Sequence, residues 1–182
     1  MSEHVVEDPV LRQRYVFRHV AAADGADVLE VELWVEPGGG VVPHLHPTFE
    51  ERFEVLEGEI AIVVGRRRVR ASAGDSVVVP PGVRHTYANT GATTAHLRCH
   101  ARPPTPALQQ FLEDAAALGR MGSYTRQALP RSFRGLLQLA VMARHYRNST
   151  VILRPPPWLH GLLIAPLARL GELRGYRAGD FA

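Results

Sequence analysis

The chain of 182 residues has a single cysteine, Cys99, and no lysine. One cysteine cannot close an intramolecular disulfide, and neither a paired-cysteine framework nor a zinc ribbon can be built around it. A reducing cytoplasm is the expected setting. The acidic start Met1-Ser2-Glu3-His4-Val5-Val6-Glu7-Asp8 also lacks the basic, then apolar, then small-residue order of a secretion signal. Long hydrophobic runs are missing too. The strongest candidate, Trp158 to Leu167, is broken by Gly161 and Pro166 and falls short of the roughly 20 residues that span a bilayer, so membrane insertion is not expected. Carboxylates are scarce in the second half: residues 1–101 carry 10 arginines against 14 carboxylates, and residues 102–182 carry 11 against 4. This basic half reads as solvated helix faces. No polar recognition helix accompanies it, so no nucleic-acid partner is expected.

What is present is patterned in two blocks. From about Tyr15 to Ala101, short apolar alternations are separated by Gly, Pro, Asn and Asp, as in a set of half-buried antiparallel strands. Leu29, Val31, Leu33 and Val35 occupy one face of a strand while Glu30, Glu32 and Glu36 occupy the other. Further strands are predicted at 52–56, 59–64, 67–71, 76–79, 85–88 and 95–100, with turns at Gly58, Gly65 and Gly74. At Arg102-Pro103-Pro104 the texture changes, because prolines supply no ladder donors and the residues beyond repeat with helical period. The predicted organisation is therefore a β-domain over residues 1–101 and a helical extension over residues 102–182, packed on the barrel or in a dimer interface. Thr105 with Pro106 predicts one helix start and Ser132 another. A third helix is predicted after Pro155-Pro156-Pro157, with a kink at Pro166.

The chemistry lies in the first block. His44 and His46 are one residue apart, so an extended segment points both imidazoles to one side, roughly 7 Å apart. Glu51 follows after Pro47-Thr48-Phe49-Glu50, a length that lets the chain turn and bring back a carboxylate. His85 stands after a strand and a Pro-Gly turn and offers a fourth ligand. Imidazoles with one carboxylate suit a borderline divalent ion. Gly38, five residues, His44, one residue, His46, four residues, Glu51, six residues and Gly58 resemble the first motif of the cupin superfamily. Gly74, Asp75, Pro80, Gly82, His85 and Asn89 resemble its second, after a separation of 15 residues that is short, as in many microbial members. The motifs cover Gly38 to Asn89 and leave the helical part unexplained.

The resemblance implies a mainly β fold, the cupin double-stranded β-helix or jelly-roll barrel, with a C-terminal α-helical extension. It implies one divalent ion, iron, manganese, nickel, copper, cobalt or zinc, held by His44, His46, Glu51 and His85 with a position open to a small-molecule substrate or ligand. It also implies that Glu51 can act as a catalytic base, in an enzyme such as a dioxygenase or a zinc-dependent isomerase or cyclase. A non-catalytic binding barrel is the alternative. Alternation from Glu51 adds Phe53 and Val55, which with Val42 and Tyr87 make an apolar substrate pocket. His96, Arg98 and His100 share a strand face expected to be exposed, Cys99 reads as buried filler, and His4, His19, His145 and His160 have no ligand spacing. A homodimer would suit an apolar helix face in the extension.

Overall fold

A computed structural model describes residues 4–21, 25 and 27–181, so Met1 to Glu3 of the acidic start lie outside the described residues. In chain order the strands are β1 (Val5–Asp8), β2 (Gln13–Ala21), β3 (Asp27–Val35), β4 (His44–Leu45), β5 (Glu50–Glu57), β6 (Glu59–Val64), β7 (Arg67–Ser72), β8 (Ser76–Val79), β9 (His85–Ala88) and β10 (Ala95–Arg102). Helix α1 (Pro106–Arg120) and helix α2 (Phe133–His145) follow, then strand β11 (Val151–Ile152), a 3₁₀ turn over Pro157–Leu159 and helix α3 (His160–Leu173). A six-stranded sheet in the order β1-β2-β3-β10-β5-β8 faces a five-stranded sheet in the order β11-β4-β9-β6-β7. The strand pairs are antiparallel. The fold is mainly β, a jelly-roll barrel carrying C-terminal helices.

The period-2 alternation builds the core between the sheets. Leu29, Val31, Leu33 and Val35 of β3 are buried together with Phe53, Ile60, Ile62 and Leu97. Each such side chain contributes roughly 1.5–3 kcal/mol by leaving water. Gly58 makes the one-residue step from β5 to β6 at φ +74°, where a side chain would press on the Thr94 carbonyl. The outward face of β10 carries ions. Arg98 lies 3.5 Å from Glu30 and 3.6 Å from Glu54, His100 lies 3.0 Å from Glu30, and His96 stacks on Trp34. The sequence predicts an exposed face here; it is half-buried, because Trp34 and the glutamates of β3 pack across it.

The helices do more than cover an outer wall. Strand β11 joins the smaller sheet beside β4, with Val151 opposite Leu45 and Ile152 opposite His44. Ser132 caps α2 through its hydroxyl, which accepts from Gly135 N at 3.0 Å, as its sequence position predicts. Thr105 stands at the N-cap of α1 in extended conformation, but its side chain makes no capping hydrogen bond; Pro106 at the first helical position sets φ without it. Helix α3 packs through Ala168 and Gly171 and leaves Leu162 and Leu173 exposed, as is Trp158 in the preceding turn. No helix among the described residues is long and apolar enough to cross a membrane.

Gly171 lets α3 pack closely against α2. A Cβ there would meet Val141 Cγ2 at 2.7 Å and the Leu137 carbonyl at 3.1 Å. Val141 is β-branched and cannot swing aside cheaply. Gly171→Ala is expected to lower stability by about 1–3 kcal/mol through overpacking. Urea unfolding followed by far-ultraviolet circular dichroism reads this as a lower midpoint. An unchanged midpoint would mean that the two helices are not tightly packed.

Candidate metal centre

Four candidate ligands come from both sheets. His44 lies on β4 directly opposite His85 on β9, and His46 follows β4 by one residue. Glu51 reaches in from β5 of the larger sheet. The ligand atoms of His44, His46, Glu51 and His85 all lie within 4.8 Å of one another. Glu50 is not in the cluster. The three histidines are buried, and Glu51 is half-buried.

Backbone carbonyls orient all three imidazoles. His44 Nδ1 lies 3.0 Å from the Val42 carbonyl, His46 Nδ1 2.9 Å from that of Ser149, and His85 Nδ1 3.1 Å from that of Val83. A carbonyl only accepts, so each Nδ1 carries the proton and donates it. In the neutral ring the Nε2 lone pair is then free to face the cluster. Glu51 Oε2 lies 3.0 Å from His85 Nε2 and 3.4 Å from His46 Nε2. His46 Nε2 is nevertheless buried without a hydrogen-bond partner. A ring nitrogen aimed at a carboxylate and lacking a partner fits a cation between them. The donor set, three imidazole nitrogens and one carboxylate, is also that of a borderline divalent ion.

The electrostatics agree. Burial pushes the His44 pKa well below the ordinary histidine value, and the neighbouring His85 and His46 push the same way, so His44 is held neutral. For Glu51 burial alone would raise the pKa, but the charge of His46 and the hydrogen bond and charge of His85 overcome it and hold the carboxyl well below the usual range. For His85 burial favours the neutral ring, yet its hydrogen bond and charge pairing with Glu51 raise its pKa. Without a cation the cluster thus sets the neutral His44 beside an ionised Glu51 that a proton on His85 Nε2 pairs with, and a cation held there would take that proton's place.

His44, His46 and Glu51 stand in the wall of a cavity of about 600 Å³. Val31, Leu33 and Tyr87 line it from the barrel, and Phe111, Met142 and Ile164 close it from the helices. Of the apolar positions read from the sequence, Val42 and Tyr87 line this cavity. Phe53 and Val55 do not. Both are 1% exposed within the barrel core, Phe53 against Tyr87 with ring centroids 5.5 Å apart. Strand alternation puts them on the inward face of β5 with Glu51, while the cavity extends from the barrel mouth toward the helices. Cys99 lines the cavity too, but burial and then the charge of Glu51 push its thiol pKa well up, so it remains a protonated apolar filler.

Several contributors had no ligand spacing to reveal them. His160 lines the cavity with its Nε2 2.8 Å from the Pro155 carbonyl, and Arg147 and Arg154 also contribute to the lining. The Ser149 carbonyl that orients His46 comes from the segment after α2, 103 residues away. One available signal was the β-branched run Thr150-Val151-Ile152, which is strand-like and sits between α2 and the prolines.

A profile of the cupin domain matches residues 31–100. Among characterised and catalogued proteins, the chain is 42% identical over 71 residues to endoribonuclease YbeY of Myxococcus xanthus, covering 39% of this chain and 24% of that protein. It is 28% identical over 86 residues to polyketide synthase CurC of Streptomyces cyaneus, covering 46% of this chain and 56% of that one. The chain therefore spans less than two thirds of each of these relatives. An RmlC-like cupin from Shewanella frigidimarina superposes with a TM-score of 0.50 at 20% identity, over 59% of this chain and 89% of that one. Residues 31–100 thus match the cupin domain, and the two antiparallel sheets that contain them have the fold of an RmlC-like cupin.

Proposed function

We propose that the chain is a metal-dependent cupin enzyme acting on a largely apolar small molecule that bears an oxygen function. The observation that carries this reading is the opening of a histidine–carboxylate cluster into a large cavity whose walls are otherwise mainly apolar. His44, His46, Glu51 and His85 hold one divalent ion. A redox-active ion there supplies oxygen activation, and a redox-silent one supplies Lewis-acid polarisation. Val42 and Tyr87, with Phe111 and Met142 from the helices, clasp the apolar body of the substrate and exclude water. Phe53 and Val55 back the site from the core. Glu51, the half-buried ligand, doubles as the base for an acidic C–H or O–H of the substrate. An enol, a diketone or a phenol with an apolar body fits such walls better than a sugar, whose hydroxyls would go unpaired.

Oxygen consumption by iron(II)-reconstituted protein, given a flavonol or an apolar β-diketone, tests this reading. Substrate-dependent uptake that is lost in His46→Ala is the expected result. Uptake equal in wild type and variant would refute dependence on the site. Substrate conversion without oxygen uptake on zinc-loaded protein would point to isomerase or cyclase chemistry. Saturable binding with no conversion under any of these metals would leave a binding barrel.

A further inference from the structure

A second polar cluster touches the cavity through Tyr15 and Tyr87, with Gln13 hydrogen-bonded to both from outside the lining. Gln13 and Tyr15 are two residues apart on β2 and share its inward face, and Tyr87 meets them from β9 in the opposite sheet. Tyr15 Oη donates to Gln13 Oε1 at 2.6 Å, and Tyr87 Oη donates to the same oxygen at 2.9 Å. All three side chains are buried, Gln13 at 4% exposure, and Gln13 Nε2 has no hydrogen-bond partner. Buried donors are rarely left in this state.

The number of spare donors does not depend on the amide's orientation, but their place does: on Gln13 Nε2 in one orientation and on the cavity-lining tyrosine hydroxyls in the other. The amide nitrogen carries two hydrogens and each hydroxyl one, and the two internal hydrogen bonds use only two of the four. Turning the amide over moves the two spare hydrogens onto the tyrosine hydroxyls without changing their number. Tyr15 and Tyr87 both line the cavity. His85 and Tyr87 share the inward face of β9, one strand repeat or about 7 Å apart.

We propose that Gln13, Tyr15 and Tyr87 form a hydrogen-bonding subsite for a second oxygen of the ligand, about 7 Å along β9 from the histidine–carboxylate end of the cavity. The inference rests on the reading above that the cavity takes an oxygenated apolar molecule, and it narrows that class. The ligand carries oxygen functions on opposite sides of an apolar body, one facing the metal ligands and one accepting from the cluster. A molecule oxygenated at one end only would leave the spare donors unpaired.

The test compares 2-naphthol with 2,6-dihydroxynaphthalene, which differ by one hydroxyl across the ring system. Each is titrated by fluorescence into wild type, Gln13→Leu and Tyr15→Phe, with and without zinc. Wild type is expected to bind the dihydroxy probe about tenfold more tightly, the order of a hydrogen bond to an otherwise unpaired buried donor. Gln13→Leu should abolish that preference while keeping its affinity for 2-naphthol, and Tyr15→Phe, which removes one hydroxyl and little volume, should reduce it. A purely structural tie between the sheets would weaken both probes alike and leave their ratio unchanged. That outcome, equal affinity of the probes for wild type, or no binding of either probe overturns the subsite. Failure of the metal reading looks different: zinc would alter neither affinity while the Gln13→Leu effect persisted.

Discussion

Replacing His46 by alanine is expected to weaken divalent metal binding at least a hundredfold, since even residues that only orient a ligand change affinity by about 10–100-fold. The chain commits its tail to this one imidazole, because the Ser149 carbonyl holds Nδ1 and so aims Nε2 at Glu51. Nε2 is buried with no hydrogen-bond partner, so in the metal-free protein it gives up solvation without return. A bound cation reverses that balance. Competition with a chromophoric chelator measures the affinity directly. Thermal unfolding gives a second readout, because a ligand that binds only the folded state raises its stability. The metal-induced rise in Tm should be present in wild type and nearly absent in His46→Ala. Equal chelator competition by both proteins would remove His46 from the site.

Tyr146→Ala is expected to cost about 3–5 kcal/mol, the range for removing a large buried aromatic side chain. Tyr146 is 1% exposed and packs edge-on against Phe111 of α1 with ring centroids 5.7 Å apart. Its hydroxyl donates to Asp114 Oδ2 at 2.9 Å, an oxygen that also accepts from Gly179 N at 2.7 Å. The Asp114 side chain is buried, and its Oδ1 has no partner, so the carboxyl has little to spare. Tyr146→Phe keeps the packing and removes that donor, and about 1–3 kcal/mol should be lost. The effect extends to the metal ligands. The Tyr146 carbonyl accepts from Ser149 N and Thr150 N, each at 2.8 Å, and this turn presents the Ser149 carbonyl to His46. Urea unfolding of the two variants should rank alanine below phenylalanine below wild type, with metal affinity falling in the same order. A loss under 1 kcal/mol for alanine would show that the helices do not depend on this anchor.

The barrel was legible because its signal is local. Alternation along β3 and glycine turns between short strands report one wet and one dry face, and the structure has both. The candidate cluster was legible through spacing: one intervening residue puts His44 and His46 on one side, the motif step to Gly58 distinguishes Glu51 from Glu50, and the four side chains do converge. The cavity was not legible to the same degree. Phe53 and Val55 obey the same alternation as Glu51, and only the depth of each position along the barrel separates core from cavity wall. Depth depends on where the helices dock, and the helical period states which residues are apolar but not what they face. The Ser149 carbonyl and the pairing of β11 with β4 arise from backbone contacts across about a hundred residues, for which side-chain pattern carries almost no information.

The central claim is that the four side chains hold one divalent ion, and elemental analysis tests it most directly. Protein purified without chelator or affinity tag, then reconstituted, should contain one divalent ion per chain, and His44→Ala/His85→Ala should contain none. No metal in the wild-type protein after reconstitution, or an equal amount in the double variant, would contradict the account.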